Sequence, residues 1–504
     1  MDQLYRRYPD QVQGILPRGV LFWSQVLPVF AHYQWTKLSF AWLDPNAPED
    51  VREAKYQTLH ELYAPRIKTL LRRLGGIYVK FGQEVAMAGE VLPKTYMTQM
   101  MELLDRNEGI SSLEAVAMIE SALGKKLSEV FSSFDETPLG AASIGQAHRA
   151  TLKDGREVVV KIKYPDVEHN FSKDMRNIRQ ALRLINPESD SYMSEIEDQI
   201  GLEFDLEREA RTLQTVHDNL APHFKNVVVP LPVAEHCTRD VLVMDYVPGQ
   251  KLVDRINEEF ERTASRMGFT LDEVVQRHGS FTFGEQVQMT LRLAVWELWD
   301  RFASVLSAVY VRITGQPLAL ATPPQQAIPK TAIFKTLLAV LGHQIFVDGF
   351  FHGDPHPGNL ILLPDGRIGL IDFGQAKALT SRDVEFCAQL YELLYQSASP
   401  EEVARLARNE GFLTQKNDEY ALYKYMQIFF DRDDKEVRDG MESMEFYTYL
   451  GERDQLKVMP NQYSILLRTI GIVRGLGYML GFTETSFSKE WHTYAANVVA
   501  KAAH

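Results

Sequence analysis

With 504 residues, 45% hydrophobic and 24% charged, the chain can build more than one core, and its composition is that of a folded globular protein, neither disordered nor wholly membrane-embedded. Its formal net charge of −13 argues against nonspecific nucleic-acid binding, because phosphates would be repelled. Cys237 and Cys387, the only cysteines, can form neither a disulfide framework nor a four-cysteine zinc site, and they fit a reducing intracellular compartment.

In chain order, the start MDQLYRRYPDQVQG has no long apolar run and is not the Ser- and Arg-rich stretch of a transit peptide. The apolar stretch Val20 to Trp35 is interrupted by Gln25, Pro28 and His32, and it falls short of the ~20 residues that span a bilayer. A packed helix is expected there in preference to an interfacial one. From Asp50 to Ala88, Leu59, Leu62, Tyr63, Ile67, Leu70, Leu71, Leu74 and Ile77 recur at helical spacing, with Pro65 expected to end or kink the first helix and Gly75-Gly76 to break the run. About 130 helical residues therefore precede any strand.

The pattern changes at Pro138. AHRATL and EVVVKIK flank Asp154-Gly155 as two β-rich runs joined by a hairpin dipeptide. Val227 to Val229 and Val241 to Asp245 are further strands, and a helix is expected from about Lys330 to Val347. ILLPDGRIGLI repeats the strand, turn, strand signature around Pro364-Asp365-Gly366, and from Ser381 onward the pattern is helical. Residues ~254 to ~329, with Trp296, Trp299 and the linker GQPLALATPPQQAIP, read as an insertion; the two Trp are an i, i+3 pair of the kind found in cores.

The chemistry concentrates in His352-Gly353-Asp354-Pro355-His356-Pro357-Gly358-Asn359 and, thirteen residues after Asn359, Asp372-Phe373-Gly374. Phosphoryl transfer needs a carboxylate to orient or deprotonate the nucleophile, an Asn to hold metal and a second carboxylate for Mg²⁺ on the phosphates. Asp354, Asn359 and Asp372 fit these roles, and the Asp-to-Asn interval of five equals that of a kinase catalytic loop. Lys161, on the strand after Asp154-Gly155, stands where a kinase places the Lys that reaches the α- and β-phosphates. Lys163 shares its facing, but Tyr164-Pro165 should end the strand. The loop Gly140-Ala141-Ala142-Ser143-Ile144-Gly145-Gln146 occupies the position of a glycine-rich phosphate loop, with Cβ atoms that limit close approach. Glu203-Phe204-Asp205-Leu206-Glu207-Arg208-Glu209-Ala210 reads as one acidic helix, in which Asp205 and Glu209 are like-charged i, i+4 neighbours; one of its carboxylates is a candidate partner for Lys161. Lys80-Phe81-Gly82-Gln83, alone, reads as surface.

Taken together, Lys80-x-Gly82-Gln83, the alanine-rich loop ending in Ser143-Ile144-Gly145-Gln146, Lys161-Ile162-Lys163-Tyr164-Pro165, Glu203-x-Asp205 with Glu209, the His352 to Asn359 loop and Asp372-Phe373-Gly374 resemble the UbiB/ADCK (aarF-domain-containing) atypical kinases over about residues 60 to 480. The resemblance implies an α+β, protein-kinase-like bilobal fold: an N-terminal helical extension (1–135) over the active site, a kinase-like N-lobe (136–250), a helical insertion (251–329) and a helical C-lobe (330–504). It implies that Lys80 contacts Glu203 and Asp205, and that Glu209 pairs with Lys161, with Glu203 the alternative. Asp354, Lys161 and Lys80 are then catalytic. Gly140, Ala141, Ala142, Ser143, Glu203, Asp205, Glu209 and the hinge residues Met244, Asp245 and Val247 are expected at the ATP site, with Asn359 and Asp372 on Mg²⁺. Gly140 replaces the family's first alanine, and the insertion is longer than expected. The family supports coenzyme Q or other isoprenoid-quinone and lipid metabolism at membrane-facing sites, which implies lipid, peripheral membrane and enzyme-complex partners in an intracellular, membrane-associated setting, mitochondrion or plastid in a eukaryote. HGDPHPGN and IDFG also resemble aminoglycoside/choline-type phosphotransferases. A nucleotide-gated pseudokinase scaffold is the non-enzymatic alternative.

Overall fold

The computed structural model describes residues 17–87, 93–101, 103, 109–185, 190–270 and 328–502, with the single positions 288, 292 and 312. Trp296, Trp299, the linker up to residue 327 and the first sixteen residues lie outside the described residues. The chain forms two compact units. The first is Met1–His217, Pro230–Tyr246 and Phe373–Gln375; the second is Asp218–Val229, Val247–Asp372 and Ala376–His504.

The first unit opens with helices α1 (Arg18–Leu43), α2 (Glu49–Leu74), α3 (Ile77–Met87), α4 (Lys94–Met101), α5 (Ser112–Leu123) and α6 (Leu127–Val130). Pro65 sits inside a continuous α2 instead of ending it. The residue and Glu61, whose carbonyl loses the Pro65 donor, are both exposed, so water can take that carbonyl and the break is not enforced. Pro28, likewise exposed, leaves α1 continuous. Gly75 and Gly76 end α2 at φ 66° and 51°, a left-handed turn open to glycine.

Next come β1 (Phe131–Phe134), β2 (Gly140–Ala141), β3 (Gly145–Leu152) and β4 (Glu157–Lys163), then α7 (Pro165–Ile185), α8 (Asp190–Leu202) and α9 (Leu206–Leu220). Strand structure thus begins at Phe131, ahead of Pro138, because Phe131 is buried against Ala150 and Leu152 of the antiparallel β3. After β5 (Val227–Val228), β6 (Val241–Asp245) completes a sheet of order β1-β3-β4-β6 with β2 on β3. Val158, Val160 and Ile162 turn one face of β4 into a core with Ala115 and Ile119 of α5; Lys161 lies on the other face, as a period of two requires. A second core joins Leu21 and Phe22 of α1, Leu70, Leu71 and Leu74 of α2, Tyr78 and Phe81 of α3, and Met175 and Ile178 of α7. Arg18 is tied to Asp174 at 2.7 Å across it.

The packed reading of Val20 to Trp35 holds for the inner face only. Leu21, Phe22 and Thr36 are buried, whereas Trp35 and Trp42 are 68% and 82% exposed on the outer one.

The second unit carries β7 (Gln250–Lys251), α10 (Leu252–Met267), α11 (Lys330–His343), β8 (Phe350–Phe351), β9 (Leu360–Leu362), β10 (Ile368–Leu370), β11 (Lys377–Ala378), α12 (Ser381–Tyr395), α13 (Pro400–Glu410), β12 (Leu413–Thr414), α14 (Glu419–Met426), α15 (Ser443–Asp454), β13 (Leu456–Val458), α16 (Ser464–Leu480) and α17 (Phe487–Ala502). Its main sheet has the order β5-β10-β9-β7. The stretch after Ser381 is not wholly helical, since β12 and β13 pair as a short ribbon. The α11 helix ends at His343 and continues as a wide π turn through Gln344–Asp348. Residues Lys330–Asp348 are long and apolar enough to cross a membrane, yet 67% of that window is buried, which marks a core helix. The core around α11 is aromatic: Trp491, Tyr391, Phe346, Phe430 and Phe487 are buried together.

Candidate functional site

In the first unit, β4 presents Lys161, and its Nζ lies 2.8 and 2.9 Å from the two carboxylate oxygens of Glu209, which is 2% exposed. Of the open alternatives, Glu209 is therefore the carboxylate on Lys161. Glu203 takes a different cation, Lys80 at 2.8 Å. The acidic segment is not one helix. It breaks after Leu202, and Asp205 starts α9 as a cap, its Oδ1 accepting from Arg208 N at 2.8 Å. Asp and Glu favour the N-terminus of a helix, so the like-charged i, i+4 pair expected between Asp205 and Glu209 is replaced by a cap and a first-turn carboxylate. Lys163 ends the strand, 4% exposed, with Nζ on Glu168, Asp240 and the Phe204 carbonyl.

The Lys80 to Gln83 turn is buried structure, not surface. A Cβ on Gly82 would lie 2.4 Å from Leu103 Cδ1 and 3.1 Å from Leu71 Cδ1, so a larger residue there would have to displace both leucine side chains. Gln83 donates to the Leu103 carbonyl at 2.7 Å and accepts from Ser143 Oγ at 3.5 Å, which brings the turn to the alanine-rich loop. In that loop Gly140 and Ala141 pair with Ala147 and Gln146, and Ala142 N donates to Gly145 O at 2.7 Å. Gly145 has no alternative: a Cβ would stand 2.3 Å from the Ile162 carbonyl oxygen. Met244 and Asp245, at the end of β6, face Val159 and Val158 of β4.

Two contacts in this unit were not legible in the motif pattern. Gln375, following Gly374, donates to Glu203 at 2.5 Å, and Arg208 donates to the Gly374 carbonyl at 3.1 Å. Glu203 thereby serves both Lys80 and Gln375. The signal that could have found them is position alone: a polar residue directly after Asp372-Phe373-Gly374, and a cation inside the acidic segment.

In the second unit, Leu360 to Leu362 pair antiparallel with Leu370 to Ile368, and Ile371 N donates to Asn359 O at 3.2 Å. An antiparallel hairpin brings the residue before its first strand beside the residue after its second, so Asn359 and Asp372 share one end of it. Asn359 Nδ2 donates to the Asp354 carbonyl at 3.2 Å, which leaves the amide oxygen free to face a cation. Among the described residues no group of three or more His, Cys, Asp or Glu could hold a metal alone. An amide oxygen and a carboxylate are hard donors, and Mg²⁺ takes few protein ligands with phosphate and water completing its shell, so this pair fits it. Val247 is buried with Ile361 and Leu363 of the same unit.

The loop is held from beneath. His352, 2% exposed, accepts from Asp354 N on Nδ1 at 3.1 Å, and its backbone N–H donates to Gln344 Oε1 at 3.3 Å. Burial pushes the His352 imidazole down to about 4, against the opposing pull of Asp354 and Asp372. The unfolded chain therefore binds a proton near pH 6.5 that the folded chain refuses, and stability falls as pH drops from there towards 4. Denaturant unfolding at pH 7 and pH 5 should show a loss in the wild type about 2 kcal/mol larger than in His352→Gln, and equal losses would remove His352 from the account.

Comparison with known proteins puts the chain in one class, a kinase-like domain, here of mixed helix and strand with several small sheets. The chain belongs to the ABC1 atypical kinase-like domain family, whose model matches residues 102–291 and 303–404. It is 24% identical over 98% of its length to the chloroplastic Protein ACTIVITY OF BC1 COMPLEX KINASE 7 of Arabidopsis thaliana, 25% over 82% to the Probable protein kinase UbiB of Xylella fastidiosa, and 26% over 90% to the AarF domain-containing protein kinase 1 of Xenopus laevis. It spans 62%, 66% and 78% of those proteins. The Rv3197-erythromycin complex from Mycobacterium tuberculosis aligns at a TM-score of 0.45 and 20% identity, over 87% of this chain and 97% of that one, a likeness too slight to carry a fold comparison.

Proposed function

We propose that this protein is an ATP-binding atypical kinase or ATPase that uses Mg²⁺ and acts in isoprenoid-quinone or related lipid metabolism. The observation that carries the reading is the β9–β10 hairpin, which sets Asn359 and Asp372 at one end with Asp354 gripped by the Asn359 amide. In this reading Asn359 and Asp372 hold Mg²⁺, which neutralises phosphate charge when bound. Lys161, oriented by Glu209, contacts the α- and β-phosphates, and the Gly140 to Ser143 backbone lies along them. Met244, Asp245 and Val247 border the base. Asp354 orients water or an acceptor hydroxyl. A bond forms from that oxygen to the terminal phosphorus, the bond to the β–γ bridging oxygen breaks, ADP leaves with the electron pair, and the proton passes to Asp354.

Lys80 of the helical extension, paired with Glu203 at 2.8 Å, is catalytic in this reading, with Glu203 and Asp205 at the nucleotide. The lipid assignment leans on the relatives named UbiB and on the exposed Trp35 and Trp42 of α1, an outer face suited to peripheral membrane contact. Organellar location and membership of a lipid-biosynthesis complex belong to the same proposal, as does the division at 1–135, 136–250, 251–329 and 330–504.

The test is thermal unfolding with and without Mg-ATP. At a hundred times the dissociation constant, ligand binding adds about 2.7 kcal/mol, which Lys161→Ala should largely remove. Each variant is compared with its own ligand-free baseline, because Glu209 loses its Lys161 partner and the apo protein is weakened too. Stabilisation undiminished in Lys161→Ala would overturn the phosphate role of Lys161.

A further inference from the structure

The first unit buries a polar pair on an apolar strand face. Along β3, Ala150 and Leu152 join the core with Ala115 and Ile119, yet Gln146 and His148, on that same face, are 2% and 0% exposed. Polar side chains buried in this way need partners, and these have them. Gln146 Oε1 accepts from Ile110 N at 2.8 Å and from the Tyr164 hydroxyl at 3.1 Å. Its Nε2 lies 2.7 Å from His148 Nε2 and donates to the Ile110 carbonyl at 3.5 Å, while His148 Nδ1 lies 2.8 Å from the Asp135 carbonyl.

Two of these partners cannot change role. A main-chain N–H only donates, so Oε1 must face Ile110; a carbonyl only accepts, so Nδ1 carries the ring proton and Nε2 is bare to accept from Gln146. The network is complete only while the ring is neutral. A proton on Nε2 would set donor against donor, and turning the amide over would set its NH2 against Ile110 N. Burial holds the imidazole below its ordinary range, against the raising pull of Asp135. Around it, Phe134 stacks on the ring at 4.8 Å and Val160 of β4 stands opposite. The Tyr164 phenol is pushed up to about 12 by burial, Glu114 of α5 is turned to the Ser111 cap, and Arg149 is paired with Glu157.

The same hub grips the alanine-rich loop. Tyr164 N donates to the Ile144 carbonyl at 2.9 Å while its hydroxyl reaches Gln146, so one residue holds both the turn and the strand behind it. Ala141 pairs with Gln146, and Gly140, Ala147 and Lys161 stand in register across β2, β3 and β4. We infer that Gln146 is a positioning residue for the nucleotide phosphates: with neutral His148 it fixes the Gly140 to Ser143 backbone beside Lys161, and protonation of His148 releases it. This rests on the nucleotide reading above. Main-chain amides stabilise phosphate only while their direction is kept, and a buried amide with every hydrogen-bonding group engaged keeps it. Gln146 and His148 make and break no covalent bond and touch no phosphate.

The experiment titrates full-length wild type, Gln146→Leu and His148→Gln with Mg-ATP, and with adenosine, which lacks the phosphates, at pH 7.5 and pH 5. In Gln146→Leu at pH 7.5, Mg-ATP affinity should fall about tenfold while adenosine affinity stays within about twofold, as expected when only phosphate contacts lose alignment. A residue that merely supported the fold would lower both alike, and that result would overturn the assignment. From pH 7.5 to pH 5 the wild type should lose at least about threefold more Mg-ATP affinity than His148→Gln, which leaves Gln146 an uncharged partner at both values. Protonation of the nucleotide is common to both proteins and cancels. Equal losses would remove the His148 switch and overturn the inference, and this comparison decides alone where Gln146→Leu fails to fold. Wild-type protein that binds neither Mg-ATP nor adenosine would end the nucleotide reading itself, whereas binding by wild type with either failure above ends only this inference.

Discussion

Asp372→Asn is expected to lower phosphoryl turnover by about three orders of magnitude, a loss of roughly 4 kcal/mol of transition-state stabilisation. The substitution keeps shape and one oxygen donor but removes the negative charge that would attract Mg²⁺ to the end of the β9–β10 hairpin. Two features make the variant informative. Asp372 follows β10, whose residues Ile368 to Leu370 are buried and paired on both sides, to β9 and to β5, so the strand that carries it does not depend on its charge. Asn359 stays gripped through Asp354, so one metal ligand survives. The expected signature is a fall in Mg-ATP stabilisation, measured against the variant's own ligand-free melting temperature, that rises again at high magnesium. Turnover equal to wild type at saturating ATP would remove Asp372 from the metal role. Retained biological function with abolished turnover would favour a nucleotide-gated scaffold over an enzyme.

The second large effect is on stability. Trp491→Ala in α17 should cost about 3–5 kcal/mol, the range for deleting a fully buried large aromatic. Trp491 is 1% exposed, its Nε1 donates to the Leu338 carbonyl at 2.8 Å, and its ring packs on Phe487, Tyr391 and Phe346 at centroid distances of 4.9, 5.2 and 6.1 Å. Gly342 of α11 belongs to the same contact: a Cβ there would fall 2.7 Å from Trp491 Cδ1. The ring therefore lies directly on the α11 backbone, and its loss leaves a void that neighbouring rings cannot fill without moving α11. Because α11 runs into the π turn whose Gln344 holds His352 N, the cavity should also loosen the His352 to Asn359 loop. Trp491→Phe should keep more than half of the stability lost in the alanine variant, as followed by calorimetry. A melting temperature within about 2 °C of wild type for Trp491→Ala would contradict the packing account.

Much of the candidate site could be read locally. A strand, a turn and a strand have a period and a punctuation that survive in sequence, so Lys161 on β4 and the Asn359 to Asp372 hairpin are legible there. The same holds for Gly75-Gly76, because a left-handed turn needs glycine whatever surrounds it. The acidic segment, and the ending of the first helix at Pro65, depart from expectation for a related reason: a local rule gives the cost of an interrupted or extended helix, while neighbours decide whether that cost is met. Pro65 is tolerated on the exposed side of α2, and a cap at Asp205 ends what reads as one helix.

What the amino-acid order determined by itself was the set of elements with strong periodicity, the kinase-like family, and which polar residues are candidates for phosphoryl chemistry. Only the tertiary structure decided who partners whom. Glu209 rather than Glu203 faces Lys161, Glu203 is shared by Lys80 and Gln375, and Arg468 stands beside Asp354. These pairings join residues far apart in the chain, and Coulomb attraction depends on distance in space, not on separation in sequence. Periodicity records which way a side chain faces on its own element. It carries no information about which other element folds up against that face.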